Sequence, residues 1–317
     1  LEMMERIALD LEGVERALAS SFNTGSEDFN TLIRPLSEAG GKRLRAQLCL
    51  LIANAGTSVE EERIKIAEAV EMLHLATLIH DDVLDQAEIR RGEETIHKHK
   101  GNKVAILSGD YLFAKAFRIV SEMPHMEYLK IFSHIITCLV EGEFMQMEDV
   151  YRIDQGIDRY MTKTQKKTAD FMEGCMELGG LLGGWSSDEI MYLKRYGHAL
   201  GMAFQITDDI MDYRETSDTT GKPVGNDLRE GLLTYPLLSI VNESNQNQLL
   251  QDIKNLNHGG NEQEIIDYVI AQGGIDNTLR VAQQYCDDAL SALQSIRDFD
   301  GKEFLVLAVQ NLADRKV

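Results

Sequence analysis

"MLHLATLIHDDVLDQAEIRRG", residues 72–92, decides how this chain is read. An apolar run enters it, Asp81, Asp82 and Asp85 continue that run, and Arg90 and Arg91 follow. Its apolar periodicity predicts a helix over 60–86. On a helix, residues i and i+4 differ by about 40° and about 6 Å of rise, so Asp81 and Asp85 share a face. The spacing returns in "FQITDDIMDY", residues 204–213, where Asp208 and Asp212 share a face beside Asp209.

Outside these motifs the pattern is helical nearly throughout. Ile7, Leu11, Val14 and Leu18 step by four and three, and Asn23–Ser26 break the stripe. Similar patterns cover roughly 28–39, 42–55, 103–121, 126–148, 158–183 and 187–212, and shorter ones occupy 235–317. Clean period-two alternation is absent, so no strands are predicted. Residues 214–233, rich in Gly, Asp, Asn and Thr, are predicted to form a long loop of the kind that serves as a lid. With four prolines and no Gly/Ser-rich linker, the expectation is one all-α domain spanning 1–317.

Composition narrows the function. A net charge of −20 argues against nucleic acid, whose phosphates are gripped by an excess of Lys and Arg. Hydrophobic residues at 44% exclude disorder, and no apolar run of about 18 residues is present to predict a membrane span. The first twenty residues are acidic and amphipathic, unlike a secretion signal. Cys49, Cys138, Cys175 and Cys286 lack metal or CxxC spacing and read as buried thiols of a reducing cytoplasm.

In so acidic a chain, a lone DDxxD is usually a solvated face. Asp287 and Asp288, flanked by glutamines and without an acid at +4, show that pattern. The two full motifs instead sit in helices that read as buried, where each charge costs several kcal/mol unless compensated. Divalent cations provide the compensation, and all-oxygen ligands that leave room for substrate phosphates suit Mg2+. Phosphates would also need cations from the protein. "EAGGKRLRAQL", residues 38–48, offers Lys42, Arg43 and Arg45 behind two glycines at a helix start, where backbone amides favour anions. Arg90, Arg91, Lys167 and Lys222 add further donors, with the arginine pair placed near the end of the aspartate helix.

In "GGKRLRAQL", "LIHDDVLDQAEIRRG", "GDYLFAKAF", "KKTADF", "FQITDDIMDY" and "GNDLREGLLTYPLL", over roughly residues 30–240, the chain resembles the trans-prenyltransferases, which build polyprenyl diphosphates. The resemblance implies an all-helical bundle around a central active-site cavity. It implies that Asp81, Asp85 and Asp208 hold Mg2+, about three ions once substrate is bound, with Asp82, Asp209 and Asp212 as supporting acids. It places isopentenyl diphosphate on Lys42, Arg45, His74 and Arg91. The allylic diphosphate falls on Arg90, Lys167, Thr168, Gln205 and Lys222, Lys167 being counted among the catalytic groups. A homodimer is implied, and a heteromer with a small regulatory subunit is the other arrangement the resemblance allows. Leu232 stands where many relatives carry lysine, so one phosphate contact is expected to be missing.

Ala76 and Thr77, just below Asp81, are small where short-chain relatives carry aromatics. A deep tunnel and a C30–C40 product are therefore expected, against the alternatives of a C15–C20 synthase or one subunit of a heteromeric enzyme. Three other readings are weaker. Class I terpene cyclases use a second metal motif containing Asn or Asp, Ser/Thr and Glu. A "HDD" phosphohydrolase needs histidines that the eight here do not supply at metal spacing. A non-catalytic subunit should have lost acids from one cluster.

Overall fold

The computed structural model describes residues 2–22, 26–38, 43–90, 92–214 and 225–313. These residues group into two compact units. The first contains residues 1–133, 175–190 and 299–301; the second contains 134–174, 191–298 and 302–317.

In the first unit, α1 (Glu2–Ser21), α3 (Leu44–Asn54), α4 (Glu60–Leu84) and α6 (Asn102–Ser121) do most of the packing, with α4 lying against the other three. Helix α2 (Glu27–Glu38) precedes α3, and the single-turn α5 (Ile96–Lys100) precedes α6. Ile7, Val14 and Leu18 of the α1 stripe are buried, as are Leu48, Leu51 and Ile52 of α3. A polar knot ties three of these helices together. Buried Asp10 of α1 accepts from Arg63 Nε of α4 at 2.8 Å and from Asn54 Nδ2 of α3 at 2.7 Å. The paired geometry offsets the desolvation of the charges.

The second unit begins inside α7 (Met126–Glu148) and continues through α8 (Gly156–Thr164), a π-helical turn (Gln165–Ala169) and α9 (Asp170–Leu182), whose last residues return to the first unit. Most of α10 (Ser187–Arg214) follows, then α11 (Asn226–Glu230), α12 (Tyr235–Leu238), α13 (Gln246–Asn255), α14 (Glu262–Ala271), α15 (Gly274–Gln294) and α16 (Lys302–Ala313). Met202, Ile206 and Ile210 of α10 share a core with Leu237, Ile253, Ile266, Val269 and Ile275.

The all-α expectation holds, with four local differences. Ile89–Arg90 pairs antiparallel with Glu93–Glu94 around Gly92 (φ 85°), so Arg90 sits on a hairpin and not on a helix end. Two-residue strands are too short to show periodicity. The helix expected over 158–183 is interrupted by the π turn, a device common at functional sites. Residues 226–230 form a helical turn inside the expected loop. The C-terminal helices include one of 21 residues, α15.

Candidate active site

Helix α4 presents one polar stripe. His74, Asp81 and Asp85 lie at i, i+7 and i+11, within about 20° of a common line. The helical bonding reaches the end of the stripe, because Asp85 N–H donates to the Asp81 carbonyl at 2.8 Å. His74, Thr77, Leu78 and Asp81 are half-buried and Asp85 is exposed, whereas Leu75, Ala76, Ile79 and Asp82 are buried. Asp82 is rotated about 100° from Asp81, and its carboxylate accepts from Arg90 Nε at 2.7 Å. That pair holds the hairpin against α4. Thr95 Oγ1 and His97 Nε2 meet the Ala87 carbonyl at 2.7 and 2.6 Å, fixing the chain that leads to Arg90.

Helix α3 lies alongside. Arg43, left-handed at φ 45° just before the helix, pairs with buried Glu71 at 2.9 Å. Arg45 Nη1 lies 3.4 Å from His74 Nε2. A guanidinium has only donors, so in this contact the histidine nitrogen is the accepting side. Burial lowers the Arg45 pKa from its ordinary value, and Cys175 and Glu71 oppose that shift. Arg45 and His74 are thus brought together. Lys42 and Arg91 lie outside the described residues.

In the second unit the second motif repeats this division of labour. Asp208 and Asp212 are half-buried, while Asp209, again rotated about 100°, is 5% exposed. Asp209 accepts from Tyr160 Oη at 2.5 Å and from Gln205 Nε2 at 3.0 Å, and the Gln205 carbonyl accepts from Thr168 Oγ1 at 3.0 Å. Burial pushes the Asp209 carboxyl up to about 6, against the effect of those two hydrogen bonds. Asp212 accepts from the Asn226 and Asp227 amides at 3.0 and 3.3 Å, docking α11 onto the end of α10. Leu232 is half-buried, and its N–H donates to the Asp227 carbonyl.

The π turn carries Lys167 and Thr168. It can lie close to α10 because Gly201 has no side chain: a Cβ there would be 2.6 Å from Ala169 Cα. Lys167 Nζ meets Glu143 at 2.5 Å and Gln146 at 2.9 Å. A phosphate would compete with Glu143 for that ammonium. Lys222 lies outside the described residues. Sequence reasoning missed Tyr160 and Glu143. Neither belongs to a motif, and only the fold brings them to Asp209 and Lys167.

Each motif therefore buries one acid against protein donors, Asp82 or Asp209, and keeps its other acids more open, Asp212 also docking α11. An all-oxygen set of carboxylates, Asp81 and Asp208 half-buried and Asp85 exposed, suits a hard cation whose shell is completed by water and phosphate. The residues fit Mg2+.

A family model described as polyprenyl synthetase matches residues 26–272. The chain belongs to the polyprenyl synthetase family. It is 33% identical over 306 residues to the octaprenyl diphosphate synthase of Escherichia coli K12, covering 95% of this chain and 94% of that one. It is 32% identical to heptaprenyl diphosphate synthase component 2 of Geobacillus stearothermophilus, with 90% of each covered. Its fold matches the polyprenyl synthase of Caulobacter crescentus CB15, solved with calcium and isoprenyl diphosphate, at a TM-score of 0.89. Identity there is 31%, covering 99% of this chain and 98% of that one. The chain is a prenyl-transferring enzyme, a polyprenyl diphosphate synthase of the medium- to long-chain group.

Proposed function

We propose that the enzyme condenses isopentenyl diphosphate head-to-tail with an allylic diphosphate, giving a C30–C40 polyprenyl diphosphate with Mg2+ held by Asp81, Asp85 and Asp208. The observation that carries this reading is the repeated split within DDxxD, with Asp82 and Asp209 buried and bonded to protein groups while Asp81 and Asp208 stay on half-open faces. Bound there, Mg2+ would neutralise charge building on the departing pyrophosphate. Arg45, with Lys42 and Arg91, grips the diphosphate of isopentenyl diphosphate, and His74 orients Arg45. Arg90, Lys167, Thr168 and Lys222 take the allylic diphosphate, with Gln205 orienting Thr168. As the allylic C–O bond breaks, the isopentenyl alkene attacks the resulting allylic cation and a proton is lost to an oxygen of the released pyrophosphate. The segment 214–233 would exclude water; its residues 215–224 lie outside the described ones.

The two units serve one domain on this reading, since the chain passes between them at five points. Val140, Phe144 and Met147 of α7, at i, i+4 and i+7, are 48%, 60% and 58% exposed and suit a homodimer interface. The name of the Geobacillus relative, a component, makes a heteromer the other arrangement. Among the described residues no helix is long and apolar enough to cross a membrane. The four free, buried cysteines support a cytoplasmic setting. Labelled isopentenyl diphosphate incorporation by Asp81→Ala and Asp208→Ala tests the site: turnover should fall on the order of a thousandfold or more. Near-normal turnover in either variant would refute the metal assignment.

A further inference from the structure

Away from both aspartate motifs, the second unit gathers a different donor set. His134 and Cys138, one turn apart on α7, meet Asp170, the first residue of α9, so that one ligand atom from each lies within 4.8 Å of the others. The Cys138 sulfur is 3.7 Å from His134 Nε2 and 3.8 Å from Nδ1. Cys138 and Asp170 are buried, and His134 is exposed. Asp170 also accepts from Gln165 Nε2 of the π turn at 3.2 Å.

We propose that His134, Cys138 and Asp170 form a binding site for a thiophilic divalent ion of the Zn2+ class, separate from the Mg2+ acids. The donor types argue for it. A thiolate, an imidazole and a carboxylate are the mixed set that Zn2+ takes, and a sulfur ligand disfavours Mg2+. The spacing agrees. Tetrahedral Zn2+ with a sulfur at about 2.3 Å and a nitrogen at about 2.0 Å holds those atoms about 3.6 Å apart, near the observed separation. Exposed His134 gives the ion a way in, and the fourth position is left to water. A second trio, Asp170, Glu173 and His198, shares the aspartate. Its Glu173 meets both His198 at 3.5 Å and Lys194 at 3.6 Å, and it has no thiol, so the ion is assigned to the first trio.

Binding replaces the Cys138 thiol proton, which leaves to solvent, by a metal–sulfur bond; no electron is transferred. The ion would staple α7 to the residue that follows the π turn carrying Lys167 and Thr168. It would thus stiffen the support of those two groups without touching them.

The test uses the full-length protein, stripped by chelator and titrated with Co2+ as a spectroscopic stand-in. Near-ultraviolet thiolate-to-cobalt charge transfer should appear, saturate at one ion per chain, be displaced by Zn2+ and survive excess Mg2+. Asp81→Ala and Asp208→Ala should retain it. Cys138→Ser should abolish it, and His134→Ala, at an exposed position where folding is not at risk, should weaken binding at least about tenfold. Circular dichroism checks the fold of each variant. No charge transfer in the parent, a signal that persists in folded Cys138→Ser, or an unchanged affinity in His134→Ala would overturn the site.

Discussion

At the scale of single residues, each DDxxD motif buries one acid, Asp82 or Asp209, and keeps the others more open. Asp82→Ala should cost roughly 1–3 kcal/mol in urea unfolding, less than a fully buried pair because Arg90 is 33% exposed. It should also raise the KM for the allylic primer, since Arg90 would lose its anchor. Unchanged stability and KM would contradict that role. Arg45→Ala should raise the KM for isopentenyl diphosphate far more than that for the primer, and Lys222→Ala should do the reverse; equal effects would refute the division of substrates. Thr77 shares the Asp81 face, whereas Ala76 is turned about 140° away and is fully buried. Thr77→Phe should therefore shorten the product toward C15–C20 in mass spectra of dephosphorylated lipids, while Ala76→Phe should also overpack the core at about 1–3 kcal/mol. A full-length product from Thr77→Phe would remove it from the tunnel. The motif acids were legible because helical spacing fixes who shares a face with whom, whereas Arg45 and His74 were placed together only through the family resemblance. Tyr160 and Glu143 were not, since contacts between distant helices leave no local pattern.

At the scale of elements, close approach and buried charge set the tolerance to change. Gly201→Ala would drive a Cβ into the Ala169 backbone, separating α10 from the π turn. It should cost about 1–3 kcal/mol and lower turnover through the displaced Thr168–Gln205 contact, measured by thermal melting and steady-state kinetics. Glu68 of α4 accepts from Ser21 Oγ of α1 at 2.6 Å, and burial raises its pKa above the ordinary 4.5. The folded protein then holds this proton more tightly than the unfolded chain does. Stability from Glu68 is full below about pH 4.5 and is lost as pH rises through the raised value. Glu68→Gln should accordingly melt higher than the parent at pH 7, with the two converging near pH 4; an offset equal at both pH values would contradict this. Helix positions were readable from periodicity nearly to the residue, as at 126–148. The hairpin and the π turn were not, because each is too short to build a period.

At the scale of the whole molecule, sequence showed the class through ordered motifs, and the matched family and fold agree with it. The homodimer proposed above is testable by sedimentation velocity at the exposed Val140–Phe144–Met147 stripe: on that proposal the parent sediments as a dimer and Phe144→Glu shifts toward monomer, and a dimer unchanged by the substitution would place the interface elsewhere. The most direct test of the account is mass spectrometry of the dephosphorylated products that the unmodified enzyme makes from isopentenyl diphosphate, farnesyl diphosphate and Mg2+. A ladder in five-carbon steps ending at C30–C40 is the predicted result. Unextended primer, or a series that stops at C20, would contradict it.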